Sequence, residues 1–207
     1  MKISWQLINR NGISVTEEAR NNSVCLAKIV KEKYGNEVEP CHRLDRNTKG
    51  LVLFAKNKEA EIILLEKFKN HEIEKHYKAI VYGIPKEEHK ILKDYLFKDS
   101  KKNIVYISET PKKGYQEIIT EYTIIHKNVQ NNTSELDVNI HTGRTHQIRA
   151  HLAYYGYPIL GDGKYGESEI NKKFGKKTQE LTSYKLIFKF QTNSGILEYL
   201  NDKELSI

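Results

Sequence analysis

The sequence predicts an α+β fold, a mixed and mainly antiparallel sheet with flanking helices. Three observations predict it. Short apolar runs bounded by turn residues recur along the chain, and only three segments carry apolar residues at helical spacing. The second half passes from strand to strand without the helical crossovers that a doubly wound parallel sheet requires.

The elements follow in order. Ser4 to Ile8 reads as a strand, ended by the turn-like Asn9-Arg10-Asn11-Gly12. Ser23 is placed to cap a helix through Lys33, with Val24, Ala27 and Val30 on its apolar face and Gly35 just beyond. Leu51 to Ala55 is a short apolar run, hence a buried strand. Asn57 can cap a second helix, with Ile62, Leu65 and Phe68 predicted to share its buried face. Tyr77 to Gly83 reads as a strand apolar on both sides. Asp94 to Lys113 gives no clear pattern. Ile118 to His126 and Glu135 to Ile140 read as two strands joined by the polar loop from Val129 to Thr133. Thr145 can cap a third helix bearing Ile148, Leu152 and Tyr155, stopped by Gly156 and Pro158. Tyr184 to Phe190 and Gly195 to Leu200 read as a closing strand pair. No repeat or Ser/Gly-rich linker interrupts the 207 residues, so one continuous domain over residues 1–207 is expected.

Composition narrows the function. Hydrophobic residues make up 38%, which is lean, yet thirteen Tyr and six Phe supply enough burial for a core. The net charge of +7 suits a polyanionic partner, most simply a nucleic acid, although a Lys-rich surface alone would give the same figure. No apolar run approaches the roughly 18 residues of a membrane span. Cys25 and Cys41 have neither metal-ligand nor redox spacing, and the first residues carry no signal peptide, so cytoplasmic location with reduced thiols is expected. The absence of an exposed apolar stripe points to a monomer.

Two segments concentrate the chemistry. Cys41-His42-Arg43-Leu44-Asp45-Arg46-Asn47-Thr48-Lys49-Gly50 sets a carboxylate in a loop before a buried strand. Asp45 there suits a nucleophile, a base or a metal ligand, and equally a turn residue bonded to its own backbone. His141-Thr142-Gly143-Arg144-Thr145-His146-Gln147-Ile148-Arg149-Ala150-His151 runs from a turn into a helix. Arg149 lies one step, about 100°, from the buried Ile148, and flanks the apolar stripe. A pairing of Asp45 with Arg149 would keep the acid ionised in a dry pocket, since an adjacent guanidinium lowers a carboxyl pKa by roughly 1–3 units. Tyr77, opening its strand, has a ring able to stack on a planar base and a hydroxyl able to handle a proton, and core packing is the plainer role for one of thirteen tyrosines. The five-residue spacing of His141, His146 and His151 turns successive side chains about 140° apart on a helix, so no metal site is expected. Asp162, in Gly161-Asp162-Gly163, reads as a turn residue. No phosphate loop or Gly-x-Ser-x-Gly elbow is present, and no cofactor is expected.

These residues resemble a known family, the RluA-type pseudouridine synthases. His42 to Gly50 is similar to their His-Arg-Leu-Asp-x-x-Thr-Ser-Gly motif, with Lys49 at the usual Ser position. Lys75-His76-Tyr77-Lys78-Ala79-Ile80-Val81-Tyr82-Gly83 resembles their Lys-x-Tyr-x-Ala-x-Val-x-Gly strand, and His141 to Gly166 resembles their third block. The resemblance implies a mixed, mainly antiparallel sheet with a central catalytic cleft, and a stand-alone catalytic domain without the S4-like RNA-binding domain. It implies a catalytic triad of Asp45, base-stacking Tyr77 and Asp45-pairing Arg149. Arg43 would push into the RNA where the uridine leaves its stack, and His42, Arg46, Arg144, His146 and Gln147 are expected at the RNA. Asn9-Arg10-Asn11-Gly12 departs from the family's Lys-Pro-x-Gly, which gives the chain a shortened N-terminus. The implied activity is isomerisation of specific uridines in rRNA or tRNA. A non-catalytic RNA-binding protein on the same scaffold is the alternative, and a hydrolase pairing Asp45 with His146 is a second.

Overall fold

The computed structural model describes the backbone of residues 4–9 and all of residues 12–16 and 24–207. The chain forms two compact units, Met1–Lys75 with Thr182–Ile207, and His76–Leu181. Neither boundary is marked by a linker, because one falls inside a strand and the other at the start of one. The fold is α+β with a mostly antiparallel sheet, as the strand-after-strand pattern predicts. Among the described residues no helix is long and apolar enough to cross a membrane.

In the first unit, β1 (Ser4–Asn9) pairs antiparallel with β3 (Lys49–Ala55), and the short β2 (Glu39–Pro40) pairs with the end of β3. The start of β3 lies parallel to β9 (Leu181–Phe188), with Lys49 beside Thr182 and Gly50 beside Ser183. β10 (Glu204–Ser206) closes on β9. The core gathers Leu51, Leu53, Leu64, Ile73, Phe188 and Leu197. Each such side chain contributes roughly 1.5–3 kcal/mol by leaving water.

Two helices cover this core. Helix α1 (Leu26–Tyr34) follows Cys25, and the expected cap Ser23 lies outside the described residues. Its first N–H groups are satisfied by the chain itself, Leu26 and Ala27 donating to the carbonyls of Ser14 and Val15. Val30 is buried as expected, but Val24 is exposed and precedes the helix. Helix α2 (Lys58–Lys69) is capped by Asn57, whose side chain accepts from the Ala60 N–H. Its buried face corrects part of the expected one: Phe68 packs against the core as expected, but Ala60, Leu64 and Lys67 face inward with it, whereas Ile62 and Leu65 are exposed. Five apolar residues at 62–65 and 68 allow two stripes, and the one chosen includes a lysine because its ammonium is fully satisfied. Lys67 Nζ donates to Glu72 at 2.8 Å and to the Thr192 carbonyl and hydroxyl at 2.6 Å each. Burial alone would raise the Glu72 carboxyl, but Lys67, Thr192 and two backbone N–H groups outweigh it and hold the pKa at about 2.

The expected last strand pair is also corrected. Gly195–Leu200 is a 3-10 helix that buries Leu197 and Leu200, and the strand beside β9 comes later, at β10. Apolar residues at 196, 197 and 200 satisfy a helical spacing as well as a short buried strand.

In the second unit the strand order is β4 (Ile73–Tyr82, from His76 on), β8 (Thr133–Ile140), β7 (Gln116–Asn128), β5 (His89–Asp99) and β6 (Ile104–Ser108), all antiparallel. β5 and β6 form the hairpin that the sequence pattern leaves unread. β4 alternates strictly, its odd-numbered residues buried, rather than being apolar on both faces. Helix α3 (Gln147–Tyr154) packs on this sheet through Ala150, against Leu96, Val105 and Ile118. Helix α4 (Ser168–Lys173) has no sequence counterpart in the expected elements.

Candidate active site

Each unit carries one cluster of the expected residues. In the first unit, Asp45 sits in a turn closed by the Thr48 N–H, which donates to the Asp45 carbonyl at 2.8 Å. Leu44 is buried beneath the turn while Arg43 and Arg46 are exposed. Arg46 Nε donates to the Gly12 carbonyl at 3.1 Å, and the Gly12 N–H returns a bond to the Arg46 carbonyl. Gly50 ends the loop with φ +110°, and a Cβ there would lie 2.0 Å from the Ser183 carbonyl oxygen. Only glycine lets β3 approach β9 this closely, so the Asp45 loop enters its strand at a fixed point.

His42 anchors the same loop. Its Nε2 accepts the Leu53 N–H at 3.0 Å, which puts the ring proton on Nδ1, and the ring lies 4.8 Å from that of Phe68. Burial, helped by the nearby Lys75 cation, pushes its pKa down to about 3. His42 is therefore neutral at physiological pH. The neighbouring Cys41 thiol is pushed up to about 12 by burial and stays protonated.

In the second unit, Arg149 is buried on α3. Its Nε donates to Asp162 Oδ2 at 2.7 Å and its Nη2 to Oδ1 at 3.0 Å, a two-pronged pair with Asp162 only 1% exposed. The guanidinium also lies 5.3 Å from the Tyr165 ring centroid. Burial alone would raise the Asp162 carboxyl, but Arg149 and the N–H groups of Lys164 and Tyr165 hold it below its ordinary value. The turn that presents Asp162 depends on Gly161, which has φ +77° and whose absent Cβ would meet the Thr178 carbonyl oxygen at 2.0 Å. Tyr165 ties the group together. Its hydroxyl accepts the Val105 N–H at 2.9 Å and lies 2.8 Å from His146 Nδ1.

The start of α3 differs from expectation. Thr145 is not the cap. His146 is, in the left-handed region at φ +53°, and its side chain does not bond the helix N–H groups. The Gln147 side chain instead ties the preceding loop to the sheet. Its Oε1 accepts from the Arg144 N–H and the Thr142 hydroxyl, and its Nε2 donates to the Ile119 carbonyl and the Thr120 hydroxyl. Gln147 is 2% exposed and its side chain is engaged in the fold, whereas Arg144 is exposed. Farther along α3, His151 Nε2 meets Asp94 Oδ2 at 2.8 Å and its Nδ1 meets the Thr120 hydroxyl at 2.9 Å. Tyr155 donates to the same Asp94 oxygen at 2.8 Å. This buried, fully bonded network fixes the rotation of α3 and hence the direction of Arg149.

Tyr77 lies on β4 opposite Val138 of β8 and is 6% exposed. Sequence reasoning passed over Asp162 and Tyr165 as site residues, although both stand in the Gly-Asp-Gly-Lys-Tyr-Gly stretch of the third block. Among the described residues no group of three or more His, Cys, Asp or Glu side chains is arranged to hold a metal ion.

Comparison with known proteins gives the lineage. The profile of the RNA pseudouridylate synthase family matches residues 10–154. The tRNA pseudouridine synthase C of Haemophilus ducreyi is 32% identical over 185 residues, 86% of this chain and 73% of its own. An uncharacterized RNA pseudouridine synthase of Chlorobaculum parvum is 41% identical over 145 residues, 68% of this chain and 43% of its own. This chain thus spans less than half the length of that relative. The solved structure of human RNA Pseudouridylate Synthase Domain Containing 1 shares the fold, with a TM-score of 0.73 at 22% identity, covering 91% of this chain and 76% of that one. With a family match over more than half its length and the three motif blocks inside or adjoining it, the chain belongs to the RNA pseudouridylate synthase family.

Proposed function

We propose that the protein is an RNA pseudouridine synthase that isomerises specific uridines in ribosomal or transfer RNA, with Asp45 as its catalytic carboxylate. The observation that carries the reading is that one family match, residues 10–154, includes Asp45, Tyr77 and Arg149 together. Relatives bearing transfer RNA and ribosomal RNA synthase names support both substrate classes.

The chemistry is self-contained. The N1–C1′ bond of the uridine breaks, the uracil turns, and a C5–C1′ bond forms. C5 releases a proton and N1 ends with one, so no electron carrier or co-substrate is consumed. The target base leaves its stack at a cost of a few kcal/mol. Tyr77 offsets part of that by stacking, worth about 1–3 kcal/mol per base. Asp45 acts on the extruded nucleotide, Arg149 holds the carboxylate in its reacting position, and Tyr77 removes the C5 proton. Arg43, Arg46 and Arg144 are exposed and suited to phosphates, with Arg43 entering the gap the base leaves. His146 joins them at the RNA, and His42 and Gln147 act by holding the two loops. We further propose a cytosolic monomer, a setting in which the buried, unpaired Cys25 and Cys41 stay reduced.

The test is to map pseudouridine in total RNA from cells with and without this gene. The reading expects at least one ribosomal or transfer RNA position to lose its pseudouridine. Identical maps would oppose it.

A further inference from the structure

The β5–β6 hairpin and the loop after it present a feature that the catalytic residues leave unused. Lys98, Lys101, Lys102, Lys112 and Lys113 are all exposed, and among the described residues no acid pairs with any of their ammonium groups. Other surface lysines do have acid partners: Lys58 with Glu61, Lys90 with Glu87, Lys127 with Glu88 and Lys172 with Glu169. The two acids within the stretch are engaged otherwise. Asp99 Oδ1 accepts the backbone N–H groups of Lys101 and Lys102, which shapes the hairpin tip, and Glu109 accepts the Tyr154 hydroxyl. Five lysines against these two acids leave the stretch with a net positive charge.

Aromatic rings stand among these lysines. Phe97 and Tyr106 are directly opposed across the hairpin, 38% and 42% exposed. Phe97 stacks on Tyr115 with ring centres 5.4 Å apart and planes 28° from parallel, and Lys112 Nζ lies 5.7 Å from the Tyr115 ring. Exposed rings of this size are costly on a surface with nothing to cover them. Strand alternation decides which way they point. Leu96, one residue before Phe97, packs toward Ala150 of α3, so Phe97 and Tyr106 face the other side of the sheet. β6 is the edge strand of this unit, and its tip is bound to the Arg149–Asp162 loop through Tyr165 to Val105 and Lys164 to Asn103.

We infer that this platform binds a single-stranded segment of the substrate RNA at a distance from the modified uridine, the lysines taking phosphates and the rings taking unpaired bases. The strand passes over the β6 edge onto the face away from α3. Charge complementarity favours a polyanion, and the interleaved rings favour one with exposed bases over a duplex or a membrane. This inference rests on the RNA-modifying reading above and extends it to how the rest of the substrate is held.

The test measures binding rather than turnover. The probe is a labelled single-stranded RNA about 20 nucleotides long, titrated at several salt concentrations. The variant with Lys101, Lys102, Lys112 and Lys113 all changed to Gln is expected to bind at least about tenfold more weakly near 0.1 M salt, with a log–log salt slope shallower by about 2–3. A control changes the paired Lys58, Lys90, Lys127 and Lys172 to Gln, an equal loss of charge, and should move both far less. Tyr106→Leu keeps the apolar bulk but removes the ring, and is expected to weaken binding with the salt slope unchanged. Equal effects from the two lysine sets would overturn the platform, and a neutral Tyr106→Leu would overturn its stacking role. If wild type isomerises uridine while the hairpin variant binds normally, the platform fails alone. If the platform binds but no uridine is isomerised, the activity fails alone. Wild type that binds no RNA overturns both.

Discussion

Arg149 and Asp162 form a buried two-pronged ion pair, Nε to Oδ2 at 2.7 Å and Nη2 to Oδ1 at 3.0 Å. Arg149 is thereby held in one orientation: two of its donors are committed to Asp162, and its guanidinium lies 5.3 Å from the Tyr165 ring centroid. Removing one partner of a buried pair typically costs about 3–5 kcal/mol. Asp162→Ala is expected to lower stability by about that much in urea unfolding. A double-mutant cycle with Arg149→Leu should show coupling of at least about 1 kcal/mol. Additive effects would mean the pair is incidental.

The acid side of the stability profile follows from the same carboxyl and from Glu72. Both are held below their ordinary values in the fold, Glu72 at about 2. The unfolded chain therefore binds more protons than the native one in this range, and stability falls as pH drops. The Glu72 contribution is fully present above about 4.5 and is lost as pH falls toward 2. Lys67→Met removes the main partner, so the Glu72-linked slope between those values should flatten. An unchanged slope, measured by unfolding at stepped pH, would contradict the assignment.

His42 acts in a higher window. Its pKa is lowered from 6.5 to about 3, so below 6.5 only the unfolded chain takes up this proton. Wild type is expected to lose stability between pH 7 and 5 through this group, and His42→Asn to lose less over the same interval, whatever its stability at pH 7. Equal losses in the two proteins would show that the ring is not held neutral.

Gly50→Ala forces a side chain into a left-handed backbone position 2.0 Å from the Ser183 carbonyl. A cost above about 2 kcal/mol is expected from strain and clash together. If thermal unfolding moved by less than a degree or two, the parallel contact of β3 with β9 would be looser than described.

Much of this was readable beforehand, for particular reasons. The Asn57 cap, the Gly156 stop and the β7–β8 pair are set by local chemistry, and all three are found. The β5–β6 hairpin escaped because its outward side carries Phe97 and Tyr106 where a solvated strand usually carries polar residues, so its alternation was hidden. The buried stripe of α2 was misjudged because Lys67 is paid for by Glu72 and Thr192, one of them 125 residues away in the chain. Nothing local announces such a partner. Asp162 was read as a turn residue, and it is one, accepting the N–H groups of Lys164 and Tyr165. Its second role depends on α3 returning to the same place, which spacing alone does not reveal.

The proposed role of the Asp45 carboxylate in uridine isomerisation is open to direct test. The most direct measurement uses RNA labelled with tritium at C5 of uridine, because that hydrogen must leave as C5 joins C1′. Wild type is expected to release tritium to water while the RNA keeps its length. Asp45→Asn should bind the same RNA with similar affinity and release none. Release by Asp45→Asn at the wild-type rate, or liberation of free uracil by wild type, would contradict the account.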